Sequence, residues 1–532
     1  MRAIDLFIIF GYLIGIVLFG AWFARKQKTT SDYFLGDRSV PWWAVAASIV
    51  ATETSTITFV SVPGIAFARG GNFQFLQLVF GYLLGRIVIV SLFIPSYFRG
   101  ELMTVYQLLD RRFGGKIKAL AASLFVVMRN IADGIRLLLT AIVLAAVYTA
   151  FQPAANAETI IVFSVILIGV AMIVFTYFGG MEAVIWVEVI QLGIYNVGAI
   201  AAATILITSI DGGLGGTLFL AGIYQKFDVF DFAMRWTTHS FALPFGLPAT
   251  TVNLPLDLTK TYTFWAGLIG GCFLTMSTHG TDQYLVQRYL CTDRPKRAAA
   301  ALLTSGAIVL GQFIGFLFIG VLLFAFYHPF TDPGYATASG AAFPFAGGDR
   351  VFPDFVTRYM PPGLSGLVVA AIFAAAMSSS LNSIAATAMN DLYRPLRPRR
   401  SDQHYLKVSH LLTLTWGLVQ IAVALVMRNK NRSALDLALS IASLINGPIL
   451  GVFLVGVFLK RVSQPPALIG MLVSMAIMLY IYLAASIAWT WYVFIGSGIT
   501  LLAAWLASFA FASAPESRQD QLAPRRVMEV GD

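Results

Sequence analysis

Charge is what this 532-residue chain lacks most, since only 12% of its residues are Asp, Glu, Lys or Arg, against about a quarter in soluble domains. That scarcity, with 58% hydrophobic residues and a mean hydropathy of +0.77, excludes an ordinary water-soluble protein and indicates an integral membrane protein. Cysteine is nearly absent as well. Cys272 and Cys291 both lie in or beside apolar runs, so no disulfide framework is indicated. The chain has no HExxH, no GxSxG and no paired metal-ligand motif, which leaves an intramembrane enzyme without its chemistry. Long apolar runs replace the alternation of polar and apolar residues that a transmembrane β-barrel needs. No shift of composition marks off an appended soluble domain, and the tail after residue 512, with Pro515 and Pro524, reads as disordered.

Apolar runs recur near 4–24, 40–68, 73–97, 117–149, 159–178, 181–208, 262–289, 297–327, 364–391, 404–427, 433–459, 465–486 and 489–512. Each is long enough to cross roughly 30 Å of hydrocarbon, so the chain reads as all-α with about thirteen transmembrane helices. The first run is too long for a signal-peptide core and has no small-residue cleavage site, so it counts as a helix. With the N-terminus outside, the loops bearing Arg25/Lys26/Lys28, Arg111/Arg112/Lys116, Arg294/Lys296/Arg297 and Arg394/Arg397/Arg399/Arg400 all face the cytoplasm, as does the C-terminal tail. Arg428, Lys430 and Arg432 fall outside and break the rule. The net charge of +10 is therefore a topology signal in a lipid bilayer and no sign of nucleic acid. Two long connectors, 209–261 and 328–363, are extracellular in this reading, with short apolar pieces (Phe230-Asp231-Phe232 and Phe352 to Phe355) as candidate capping helices.

Polar residues at membrane depth need a reason, since an acid or base there costs about 2.5–3.5 kcal/mol even on the lower scales. In Ser48 to Thr58 the polarity runs all round the helix, and Glu53 stands among Thr52, Thr54, Ser55, Thr56 and Thr58. A helix broken near Ala51–Thr56 would free carbonyls for a cation and turn hydroxyls toward a solute. The alternative is that each hydroxyl bonds its own i−4 carbonyl and Glu53 is a protonated packing residue. A second hydroxyl cluster, Ser378-Ser379-Ser380 with Asn382 and Ser383, reads either as small-residue packing or as part of an uncharged oxygen cage for a monovalent cation. Arg129 and Asp133, spaced i, i+4, are expected to neutralise each other, which leaves Arg136 as a candidate anion contact. His279 reads as an internally bonded histidine and Trp42-Trp43 as an interfacial anchor.

Four separated motifs resemble the sodium:solute symporter family: Ser31-Asp-Tyr-Phe-Leu-Gly36, Gly179-Gly180 through Gln191, Asp282-Gln283 through Arg288, and Met377-Ser378-Ser379 followed by Asn390-Asp391-Leu-Tyr393. The resemblance runs from about residue 5 to 460. It implies a LeuT-type 5+5 inverted repeat whose first helices are discontinuous at the midplane. The parts would be an N-terminal helix and loop (1–39), a first repeat (40–208), an extracellular loop (209–261), a second repeat (262–460), two C-terminal helices (461–512) and the tail (513–532). It implies further that Na+ is held by the carbonyls of Ala51, Thr54 and Ala375 and the hydroxyls of Ser378 and Ser379. Solute contacts fall on Glu53, Ser55, Thr58, Phe73, Gln77, Asp282 and Gln283, with Glu188 and Ser380 as candidates for a second ion or for coupling. The Ser378–Ser383 segment is shorter than the family's, so aligning it from Asn382 backward would put alanines at the hydroxyl positions. Relatives with a second sodium carry Asp where this chain has Glu188, so one and two ions both stay open. The function expected is sodium-coupled symport of a small polar solute (sugar, sugar acid or monocarboxylate) by alternating access. Proton coupling through Glu53 or Glu188 and transport of an inorganic anion are the alternatives.

Overall fold

The computed structural model describes residues 3–514 except 24, 26, 55, 101, 153, 155, 242–249, 328–347, 378–379 and 429–433. The chain begins with α1 (Ala3–Phe23) and a short α2 (Thr30–Leu35), whose N-cap Thr29 and Asp32 form a reciprocal capping box. The next span is interrupted. α3 (Trp42–Glu53) ends where the polarity peaks, Thr54 leaves helical geometry at φ −77°, ψ 56°, and α4 (Thr56–Phe67) resumes. Neither half is long enough to cross a bilayer alone. α5 (Leu76–Leu92), α6 (Ile94–Tyr97) and α7 (Tyr106–Arg112) lead to α8 (Gly115–Phe151), which carries Arg129, Asp133 and Arg136.

α9 (Ala157–Ser209) has 53 residues, about 80 Å at 1.5 Å per residue and so well over twice the roughly 30 Å thickness of the hydrocarbon. Gly180, at φ 60° and ψ −166°, bends it into the two spans read from the sequence. Only glycine fits there, because a Cβ would lie 2.8 Å from the Tyr33 carbonyl. Outside the spans come α10 (Gly213–Ile223) and an antiparallel hairpin, β1 (Thr237–Phe241) with β2 (Thr250–Leu254), Thr237 facing Leu254. The expected capping helix at Phe230-Asp231-Phe232 is not formed. Those residues form no regular element, and their rings pack instead, Phe230 stacked on Phe80 of α5 and Phe232 tilted against Phe264.

A π-helical turn (Ala266–Gly270) opens the second interrupted span. α11 (Gly271–Gly280) stops at Thr281, Asp282 is extended at φ −96°, ψ 121°, and α12 (Gln283–Leu290) continues with Asp282 as its N-cap. α5 and α11 cross at glycines: a Cβ on Gly81 would collide with the Gly267 carbonyl, and one on Gly271 would lie 2.6 Å from the Leu78 carbonyl. Then follow α13 (Pro295–Tyr327), α14 (Val351–Arg358), which covers the Phe352–Phe355 piece as expected, α15 (Leu364–Met377) and α16 (Leu381–Thr387). A second π-helical turn (Ala388–Tyr393) extends α16 into α17 (Arg394–Leu396). α18 (Asp402–Met427), α19 (Ala434–Phe458), α20 (Gln464–Ala484) and α21 (Tyr492–Ser508) complete the chain. Six helices among the described residues are long and apolar enough to cross a membrane unaided: α1, α9, α13, α18, α20 and α21 with its leading turn.

Lys226, in the segment after α10, reaches back to the end of α4. Its Nζ donates to the carbonyls of Ala66, Phe67 and Ala68 at 2.9, 3.3 and 2.8 Å and lies 4.1 Å over the Phe324 ring. These are the orphan acceptors of a helix C-terminus. Replacing Lys226 with methionine removes this donor from all three, leaving the Ala68 carbonyl only its bond from Gly71 N, and is expected to cost about 1–3 kcal/mol, read as a lower thermal midpoint of purified protein. Burial pulls the ammonium down to about 8. The folded form thus gives up this proton before the unfolded one does. The resulting penalty is full at neutral pH and fades as pH rises from about 8 toward the usual lysine value of about 10.4.

Candidate functional site

The breaks at Thr54 and Thr281 put charged and hydroxyl groups at the centre of the helix bundle. Glu53, the last residue of α3, receives the Arg86 guanidinium of α5 end-on, with Nη2 2.5 and 2.6 Å from its two carboxylate oxygens. His279, in the last turn of α11, contacts the same carboxylate through Nε2 and lies 3.0 Å from the Thr278 hydroxyl through Nδ1. The two interrupted helices therefore meet through one acid. Thr58 Oγ1 donates to the Glu53 carbonyl at 2.7 Å and spans the first break.

Ala51 is buried in the final turn of α3. The Thr54 hydroxyl lies 2.8 Å from the Val50 carbonyl and 2.6 Å from Gln312 Oε1 of α13, and Gln312 in turn donates to Asn196 of α9 at 3.1 Å. The hydroxyls of Thr52 and Thr54 do bond i−4 carbonyls, as the packing alternative required, yet each also has a second partner on another helix. Ala375 lies in α15; Ser55, Ser378 and Ser379 lie outside the described residues. Ser380, the residue before α16, gives both its backbone N–H (2.9 Å) and its hydroxyl (2.5 Å) to Asp133 of α8.

The expected pairing within α8 does not form. Arg129 turns to Asp282 at the second break, with Nε 3.1 Å from the carboxylate and Nη2 also in contact, and packs over the Tyr284 ring. Asp133 is thereby left to Ser380 and, at 3.7 Å, to Arg136. An i, i+4 spacing allows a pair along one helix, but an acid from the facing break meets Arg129 more closely. Arg136 is the most loosely held of these arginines, 3.7 Å from Asp133 and 3.5 Å from the Tyr284 hydroxyl.

Glu188 is fully enclosed. Arg288 of α12 approaches it at 2.5 Å through Nη2, Thr52 donates at 3.1 Å, and Ser48 donates to it as well. The proposed solute contacts Phe73, Gln77 and Gln283 sit apart from this cluster. Phe73 packs edge-on against Phe227, and Gln77 accepts from Asp231 N at 2.9 Å, both against the loop before the hairpin. Gln283 clamps the loop before α7, accepting from Val105 N at 2.8 Å and donating to the Met103 carbonyl at 3.2 Å. Sequence reasoning passed over Arg86 and Arg288 as site residues. A lone arginine inside an apolar run, Leu83-Leu84-Gly85-Arg86-Ile87, was the available signal.

The profile of the sodium:solute symporter family matches residues 33–474. A sodium/sialic acid symporter, NanT, from Aliivibrio fischeri is 30% identical over 510 residues, 94% of this chain and 92% of that protein. The human sodium-coupled monocarboxylate transporter 1 is 26% identical, over 91% of this chain and 75% of its own length. Among solved structures, a Na+-coupled sialic acid symporter in a substrate-bound, outward-open state superposes with a TM-score of 0.80, 28% identity, and coverage of 97% of this chain and 99% of that one.

Proposed function

Since the chain belongs to the sodium:solute symporter family, we propose that it couples inward sodium movement to the uptake of a small organic anion, a sugar acid or monocarboxylate. The fold is then a LeuT-type 5+5 inverted repeat of about thirteen spans, with α3/α4 and α11/α12 as its paired discontinuous helices, an external N-terminus and a cytoplasmic C-terminus. Sodium sits in an oxygen cage of Ala51, Thr54, Ala375, Ser378 and Ser379, and Ser55 and Thr58 line the adjoining solute cavity.

The observation that carries the anionic reading is Arg136, a partly buried arginine whose side-chain partners among the described residues stand at 3.5 Å or beyond. Glu53 would repel an anion if it stood alone, but the Arg86 guanidinium neutralises it. Relatives named for sialic acid and monocarboxylates fit this chemistry. A neutral sugar would leave Arg136 unanswered.

A thermal-shift panel of purified protein tests the reading, with sugar acids, short carboxylates, neutral sugars and halides each in sodium and in choline buffer. A bound ligand stabilises by about RT ln(1 + [L]/Kd). Stabilisation by a carboxylate only in sodium is the expected result; a neutral sugar or a sodium-independent hit overturns it, the latter in favour of proton coupling. In proteoliposomes, Ser378→Ala with Ser379→Ala is expected to raise the sodium concentration for half-maximal uptake about tenfold or more. Unchanged sodium dependence in that double variant sinks the cage.

A further inference from the structure

The Asn390-Asp391-Leu-Tyr393 motif has no part in the site described above, yet it contains the buried carboxylate with the least complete set of partners. Asp391 lies in the π-helical turn that continues α16. One of its oxygens accepts from the Thr104 hydroxyl at 2.9 Å. The other, Oδ2, has no hydrogen-bond partner among the described residues. The same is true of Thr387 Oγ1 and Asn390 Oδ1 on the same stretch of helix; the Tyr106 hydroxyl in α7, beside the Gln283 backbone, lies within electrostatic range of Asp391. All four side chains are buried. Single-turn π-helices of this kind recur at functional sites, and a set of buried oxygens without partners calls for an ion or water.

The surrounding charges narrow the choice. Among the described residues, Lys118 and Asp110 are the charged groups that act on Asp391, and they pair with each other at 2.5 Å. Asp391 thus leaves the cluster with one uncompensated negative charge. A carboxylate, an amide oxygen and hydroxyls are hard ligands suited to a monovalent cation, and one carboxylate is too few for a dedicated divalent site. Among the described residues no group of three His, Cys, Asp or Glu could hold a transition metal.

The position connects this cluster to transport. Asp391 follows Ser380 along α16 and the π-helical turn that continues it, at the end flanked by Arg394, Arg397, Arg399 and Arg400. The loop Met103–Val105 touches both places: Gln283, beside the second break, holds its backbone, and Thr104 holds Asp391.

We propose that Asp391, with Asn390, Thr387 and Tyr106, forms a transit site for the sodium ion on its way from the midplane to the cytoplasm. The proposal rests on the sodium-symport reading. An ion released near Ser378 is taken up by Asp391 Oδ2 and the neighbouring oxygens before it meets bulk water, so cytoplasmic sodium acts back on the carrier through this carboxylate.

The test uses full-length protein, with equilibrium binding of radiolabelled sodium to purified carrier and inhibition of proteoliposome uptake by luminal sodium. Asp391→Asn is expected to bind about half as much sodium as wild type and to need about tenfold more luminal sodium for the same inhibition, with the external sodium requirement unchanged. Asn390→Asp, which adds a carboxylate without removing Asp391, is expected to tighten luminal inhibition about tenfold, so the inference stays open to refutation even if Asp391→Asn fails to fold. Wild-type binding and inhibition in both variants overturn the transit site and leave sodium coupling standing. A wild-type carrier that binds no sodium overturns both.

Discussion

Exchanging Arg288 for methionine leaves a protein with a sharply lowered thermal midpoint, and adding Glu188→Gln restores most of the loss. The pair is almost completely removed from solvent, with Arg288 1% and Glu188 0% exposed. Arg288 Nη2 stands 2.5 Å from Glu188 Oε1, and Nε lies 3.3 Å from Oε2 and 3.0 Å from the Ser48 hydroxyl. Removing the arginine strands a carboxylate whose remaining donors are the hydroxyls of Ser48 and Thr52. Breaking a buried pair in this way costs about 3–5 kcal/mol, whereas replacing both charges by neutral side chains is often close to neutral. Glu188→Gln alone should fall between, because Arg288 keeps the Tyr284 carbonyl and its place over the Tyr284 ring. A double-mutant cycle on detergent-purified protein measures the coupling directly. Equal losses in Arg288→Met and in the double variant would show that the pair is not the source of the stability. Ser48 and Thr52 are in α3, Arg288 in α12 and Glu188 in α9, so one buried charge pair ties the inner halves of both interrupted helices to a third helix.

The break in the first interrupted span was legible because its cause is local. Polar residues on every side of a helix cannot be absorbed by one packing seam, and Thr54 leaves helical geometry within that run. The division of α9 at Gly180 was legible for a similar reason, since two span-length apolar runs meet at a glycine pair. What stayed hidden was set by partners distant in sequence. Arg129 and Asp133 look matched along α8, but Asp282 lies 153 positions from Arg129 and takes it at the second break. Glu53 read as a solute contact or a protonated packing residue, with no sign of Arg86 and His279, which meet it from other helices. The hairpin at Thr237–Leu254 escaped because hydropathy over a long connector cannot distinguish a ribbon from a loop. Its Thr237-Thr238 and Thr250-Thr251-Val252 are the β-branched signal that was present.

Arg86→Met is expected to abolish uptake, and the combination with Glu53→Gln decides what Glu53 is for. Arg86 is 1% and the Glu53 side chain 13% exposed, so the carboxylate stays slightly accessible while the guanidinium is closed off. Losing the arginine leaves a midplane acid with only His279 beside it, at a cost of about 3–5 kcal/mol and with a negative charge facing the site of an anionic solute. If Glu53 serves as the counter-charge that fixes the junction of α3, α5 and α11, Glu53→Gln with Arg86→Met recovers folding and uptake, with a solute KM near that of wild type and any residual loss in kcat. If Glu53 instead binds the solute directly, the double variant folds but its KM stays raised, because the hydrogen bonds of the carboxylate are gone whatever its neighbours do. The KM and kcat of the double variant, measured with the carboxylate that stabilises the protein in sodium, therefore separate a structural clamp from a substrate contact at a residue that touches both interrupted helices.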